Sequence, residues 1–167
     1  MPCSSSRVRP VQRGDVPEVL ALIRELADYE QALHDVEATE DQLADALFPA
    51  GGAPALFGHV AEVEGEVAGV AVWFVSFSTW TGTHGIWLED LFVRPAHRGL
   101  GLGQELLRTL ADVCVERGYS RLEWWVLDWN APSIAFYESI GAVVQDDWTR
   151  YRLDGPALHT VAAKPAD

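Results

Sequence analysis

The stretch Arg98-Gly99-Leu100-Gly101-Leu102-Gly103 decides how this chain is read. Before it, Gly85 to Val93 (GIWLEDLFV) predicts a strand, being mostly apolar with aromatic and branched side chains. After it, Gln104 to Arg117 predicts a helix. Leu106, Leu107, Leu110, Val113 and Cys114 fall on one stripe, and Gly118 sits where a C-cap glycine belongs. A strand, a glycine loop and a helix start form a cup of backbone N–H groups at the positive end of a helix dipole, which suits phosphate. Glycine lets the backbone approach an anion because no Cβ intervenes. A Walker loop would need Lys and Ser or Thr after its last glycine, but Gln104 and Glu105 follow. A dinucleotide fingerprint would need two residues between its second and third glycines, and there is one.

Working outward, Arg7 to Val11 predicts a short strand, and Asp15 with Glu18 a capping box for a helix to about Glu30. Thr39 and Gln42 predict a second cap and a helix through Leu47. Leu56 to Glu62 and Val67 to Phe77 read as strands joined by a turn at Glu64-Gly65-Glu66. Arg121 to Leu127 reads as a strand, followed by a turn at Asp128-Trp129-Asn130 and a helix from Ala131-Pro132 to Gly141. Val143-Val144 and Trp148 to Leu153 read as last strands, with a short helix after Asp154. The pattern predicts α/β, with one mixed sheet and helices on its faces.

With 167 residues the chain suggests a single domain over 7–167 behind a loose polar tail at 1–6. A net charge of −13, from 12 basic and 25 acidic residues, opposes nucleic acid and anionic membrane surfaces and suits a cationic partner. The eight acids Glu25, Asp28, Glu30, Asp35, Glu37, Glu40, Asp41 and Asp45 lie in a stretch without Lys or Arg. Two cysteines, Cys3 and Cys114, build no disulfide framework. The N-terminus has neither the basic start nor the apolar run of a signal peptide, and no apolar run has membrane-spanning length. The expected setting is cytoplasmic. His59, His84 and His97 show no ligand spacing, so no metal is expected.

Arg98-x-x-Gly101-x-Gly103 after Leu91-Phe92-Val93 resembles the pyrophosphate signature of the GNAT superfamily of acyl-CoA-dependent N-acetyltransferases. Trp87 to Val93, the segment Trp129 to Ala142 (WNAPSIAFYESIGA), and Ile23 to Glu30 (IRELADYE) together resemble its spermidine/spermine, diamine and thialysine acetyltransferase group. The similarity spans about residues 7 to 153. It implies the GNAT fold, with a mostly antiparallel central sheet and helices on both faces, and acetyl-CoA as co-substrate. By the resemblance, Arg98, Gly99, Leu100, Gly101, Leu102, Gly103 and Gln104 hold the pyrophosphate. Backbone of Leu91, Phe92 and Val93 pairs with the pantetheine arm, while Asn130 and Ser133 approach it from the opposite side.

The same likeness implies the chemistry. An amine with pKa near 10.4 is protonated at neutral pH and needs a carboxylate to take its proton. Glu89 matches that role. In a regular strand Glu89 and Asp90 would face opposite ways; a bulge would change the count. Tyr137 matches the acid that protonates the leaving thiolate, and it shares a helix face with Ser133, four residues earlier. Tyr29, Glu30, Glu89 and Asp90 match substrate positions, and Asp146 or Asp147 lies where that group places a late acidic residue. The implied substrate is a small cationic amine, and the implied assembly a homodimer. A protein or peptide N-acetyltransferase, or a non-catalytic acyl-CoA-binding module, are the alternatives.

Overall fold

Runs of apolar residues set the sheet: Ala68 to Trp73 are buried without a break, as in a sheet covered on both faces. In the computed structural model, which describes residues 7–163, β1 (Val8–Pro10), β2 (Phe57–Val63), β3 (Glu66–Ser78), β4 (Thr83–Val93) and β5 (Leu122–Glu123) form one sheet in the order β1-β2-β3-β4-β5. All neighbours are antiparallel except β4 and β5, which are parallel. The β2–β3 connection turns at Glu64 (φ 54°) and Gly65 (φ 85°), the two consecutive positive φ values of a tight hairpin turn whose twist matches that of the strands. The described chain divides into two compact units, one reaching to Trp125 and the other beginning at Val126.

In the first unit, α1 (Val16–Tyr29) and α2 (Glu40–Leu47) cover one face of the sheet. Val19, Leu20 and Leu22 of α1 and Leu43 and Leu47 of α2 share a buried cluster with Val60, Val70, Val72 and Phe92. Trp73, one residue on from Val72 and so on the other face, lies under the guanidinium of Arg117 at the end of α3 (Leu102–Arg117). Leu102, Leu106, Leu107, Leu110 and Cys114 form the buried stripe of α3. Gly118 ends the helix at φ 66°, and Tyr119 donates its backbone N–H to the Cys114 carbonyl at 2.8 Å, a glycine C-cap as expected. Helices therefore lie on both faces.

Thr39 caps α2 reciprocally with Gln42: the Gln42 N–H reaches Thr39 Oγ1 at 3.3 Å, and the Thr39 N–H reaches Gln42 Oε1 at 3.0 Å. The expected cap at Asp15 differs. Its carboxylate accepts the Gln12 N–H at 2.7 Å and pairs with Arg9, closing a short 3-10 turn at Arg13–Asp15 instead of capping α1. An arginine within reach outcompetes a local cap for the same oxygen.

The second unit holds α4 (Ala131–Ser139) and α5 (Gly155–Ala163). Pro132 sits in the first turn of α4, where its missing N–H costs nothing. Two expectations fail around this unit. The strand expected at Arg121–Leu127 shrinks to Leu122–Glu123, and neither Val143-Val144 nor Trp148–Leu153 adopts strand structure. Branched and aromatic residues favour strand only when a neighbouring strand takes their backbone hydrogen bonds, and among the described residues none pairs with these segments. Cys114 is buried and free; Cys3 and the rest of the expected tail at 1–6 lie outside the described residues.

Candidate active site

The register of β4 against β3 carries an irregularity where the chemistry is expected. Val72 pairs with Asp90, but the next residue, Trp73, pairs with Leu88, so Glu89 is the extra residue of a bulge. Trp87 faces Phe74 across the strands, and Asp90 faces Val72. Phe74 and Val72 lie on one face of β3, so Trp87 and Asp90 share that face. Glu89 joins them: its Oε2 accepts the Trp87 indole N–H at 3.1 Å. The bulge thus brings two adjacent carboxylates to one side of a strand.

Their environments differ. Glu89 is exposed, and Asp90 is half-buried. Burial, then the charge of Glu89, then that of Glu30, push the Asp90 carboxyl up to about 6. Burial also raises Glu30, the residue that ends α1. Glu30, Glu89 and Asp90 therefore form one electrostatically coupled acidic group. A cation brought to it would relieve the repulsion.

The edge of β4 opens beside this group. β5 pairs only with Ile86 and Trp87. Beyond that point, no strand among the described residues takes the outer edge of Leu88 to Val93. An extended amide chain such as pantetheine is suited to such an edge.

The glycine loop follows at once. Gly99 and Gly101 both have positive φ, 81° and 82°, a conformation that costs any residue with a Cβ. Gly101 is the N-cap of α3, so the first N–H groups of Leu102, Gly103 and Gln104 are those a helix leaves unpaired. Leu100 at the loop tip is exposed, and Leu102 is buried as the first residue of the core stripe. Arg98 donates from Nε to the Val93 carbonyl at 3.0 Å, and its guanidinium lies 5.2 Å from the Tyr29 ring and 5.5 Å from the Phe92 ring. Arg98 thereby joins the loop to the end of α1.

Sequence reasoning missed Arg7. Its guanidinium donates to the Leu100 carbonyl at 2.8 Å and pairs with Glu105, so β1 braces the loop from the far edge of the sheet. In sequence Arg7 is one of three arginines between positions 7 and 13, with nothing to set it apart, and the contact spans 93 positions.

In the second unit, Asn130 is buried and caps α4, its Oδ1 accepting the Ser133 N–H at 3.4 Å. Ser133 and Tyr137 lie one turn apart on α4, both half-buried, with the Tyr137 ring 5.5 Å from that of Phe136. Asp146 and Asp147 lie in an exposed turn. Among the described residues, no group of three or more His, Cys, Asp or Glu side chains could hold a metal ion. No helix among them is long and apolar enough to cross a membrane.

An open strand edge followed by a glycine loop at a helix start, with carboxylates beside that edge, is the arrangement that the resemblance to the GNAT superfamily implies. The profile of the Acetyltransferase (GNAT) family matches residues 19–142, and the chain belongs to that family. It is an acetyl-CoA-dependent acetyltransferase. It is 34% identical over 166 residues to thialysine N-epsilon-acetyltransferase of Bos taurus, covering 94% of this chain and 97% of that protein. It is 32% identical to spermidine/spermine N(1)-acetyltransferase-like protein 1 of Homo sapiens over 93% of this chain, which spans 24% of that longer protein. Among solved structures, an integron cassette protein from V. cholerae superposes with a TM-score of 0.77 at 25% identity, covering 94% of this chain and 97% of that one.

Proposed function

We propose that this enzyme transfers the acetyl group of acetyl-CoA to the primary amine of a small cationic amine (a polyamine, diamine or thialysine-like compound) by direct attack in a ternary complex. The observation that carries the reading is the Glu89 bulge, which gathers Glu89, Asp90 and, by charge, Glu30 beside the open edge of β4. The names of the thialysine and spermidine/spermine relatives support a small amine.

In this reading the glycine loop from Gly99 to Gln104, with Arg98, binds the pyrophosphate. The backbone of Leu91 to Val93 and the side chains of Asn130 and Ser133 hold the pantetheine arm. Asp90, Glu30 and Tyr29 bind the ammonium form of the amine. Glu89 takes the proton from the nitrogen, directly or through water. The free amine attacks the thioester carbon, the C–N bond forms, and the C–S bond breaks. A backbone N–H near Phe92 meets the oxyanion, Tyr137 gives its proton to the departing thiolate, and the second proton shed by the acylated nitrogen restores the Tyr137 hydroxyl through water. No metal takes part. The proposal includes one catalytic domain over residues 7–167, a homodimer, and a cytoplasmic setting without nucleic-acid or membrane partners. It rests there on the family likeness, the acidic charge and the low cysteine content.

The test is thiol release from acetyl-CoA with spermidine, spermine, putrescine, thialysine, lysine and a basic peptide, for the wild type and Tyr137→Phe. Turnover of a small amine that Tyr137→Phe abolishes supports the reading. Turnover of the peptide alone moves the substrate to proteins. Binding of acetyl-CoA without turnover of any amine would leave a coenzyme-binding module.

A further inference from the structure

A cavity of about 200 Å³ lies at the opposite end of α3 from the glycine loop, and nothing in the acetyl-transfer chemistry uses it. A 16-residue helix is about 24 Å long, which sets the separation. Val11, Leu47, Phe57, Trp73 and Val113 give it apolar walls, and His59 and Arg117 its ionisable groups.

The polarity of those two groups is one-sided. His59 is only 8% exposed, and its Nδ1 accepts the Trp73 indole N–H at 3.2 Å. Indole N–H can only donate, so the neutral ring keeps its proton on Nε2. Burial and the nearby Arg117 charge lower the affinity of His59 for a second proton. Nε2–H meets no acceptor among the described residues. Arg117 is exposed, makes no ion pair among them, and lies 5.9 Å from the Trp73 ring. The cavity therefore offers an N–H donor reachable on an otherwise buried ring and a cation without an ion pair, with aromatic walls. On a chain of net charge −13 this is a local exception. It is large enough for a ring, since an apolar cavity of about 150 Å³ admits benzene.

We infer that this cavity is a second small-molecule site, which binds a compact monocarboxylate with an aromatic or branched body. The carboxylate meets His59 Nε2–H and the Arg117 guanidinium, and the body lies against Trp73 and Phe57. The cavity is separate from the acyl-CoA and amine sites, so the inference stands independently of the substrate proposed above.

The test is an NMR titration of the isotope-labelled full chain with benzoate, using benzamide as its uncharged match. Benzoate is expected to shift the side-chain N–H signals of His59 and Trp73 and to leave the amides of Gly99, Gly101 and Gly103 in place. Arg117→Gln, an exposed substitution, is expected to weaken benzoate about tenfold, the loss of one charged hydrogen bond. Benzamide is expected to bind wild type and variant alike. The inference is overturned if benzoate and benzamide bind the wild type equally, if Arg117→Gln leaves benzoate affinity unchanged, if benzoate moves only the glycine-loop signals, or if it moves none.

Discussion

Trp87 donates its indole N–H to Glu89 at 3.1 Å, and this contact holds the carboxylate on the face to which the bulge also brings Asp90. In the proposed reaction Glu89 takes the amine proton. Glu89→Gln is expected to keep the Trp87 hydrogen bond and the fold while lowering kcat by about 10²-fold or more, the usual worth of a positioned base. Steady-state kinetics with a fixed excess of acetyl-CoA checks this; an unchanged kcat would remove Glu89 from the chemistry.

Asp90 links pH to stability in a defined direction. Its folded pKa of about 6 lies above the ordinary aspartate value, so the folded state holds the proton more tightly than the unfolded chain. Below about pH 4 both states are protonated and this group contributes nothing. Stability falls as pH rises from about 4 to about 6, and the full cost remains above that. Asp90→Asn is expected to stabilise the protein by about 2 kcal/mol at pH 8 and by little at pH 4. Chemical denaturation at the two pH values measures it. The same variant should weaken the amine KM, since it removes a carboxylate from the cation's surroundings.

Gly101 has a φ of 82° with no atom near enough to block a Cβ apart from Arg7 at 3.9 Å, so the cost of a side chain there is conformational. Gly101→Ala is expected to lose about 1–2 kcal/mol of stability through the left-handed backbone. It should also weaken acetyl-CoA by shifting the N–H groups at the start of α3. Calorimetry of coenzyme binding reads the second effect directly.

Tyr137→Phe removes one hydroxyl from α4. It is expected to lower kcat by about 10²-fold with the acetyl-CoA dissociation constant held within a small factor. A matching loss in coenzyme affinity would make Tyr137 a binding residue instead.

The glycine loop was legible because φ constraints, helix capping and apolar periodicity are local; α3 ends at Arg117 as expected but begins at Leu102, two residues earlier than the expected Gln104, because Gly101 at positive φ supplies the N-cap and Gly103 is already helical. The carboxylate pair was half legible. Sequence singles out Glu89 and Asp90, but the face each takes depends on which β3 residue each opposes, and register is a property of two strands. Arg7, Arg94 and His59 were not legible. Arg94, which pairs with Glu18 and Glu25 of α1, carries no motif and acquires its partners only when the sheet and helix meet. The strands expected at residues 143–153 show the reverse error, since β propensity without a partner strand leaves the backbone unpaired.

The crowding of Glu30, Glu89 and Asp90 also bears on how a turnover ends. In the proposed reaction the arriving amine is a cation and the departing amide is neutral at the acetylated nitrogen. The acetylated compound no longer offsets the charges of Glu89 and Glu30 that add to burial in raising Asp90. The chemical step therefore erases the charge by which its own substrate was held. Product inhibition should be weak for a monoamine and stronger for a long polyamine that keeps other ammonium groups.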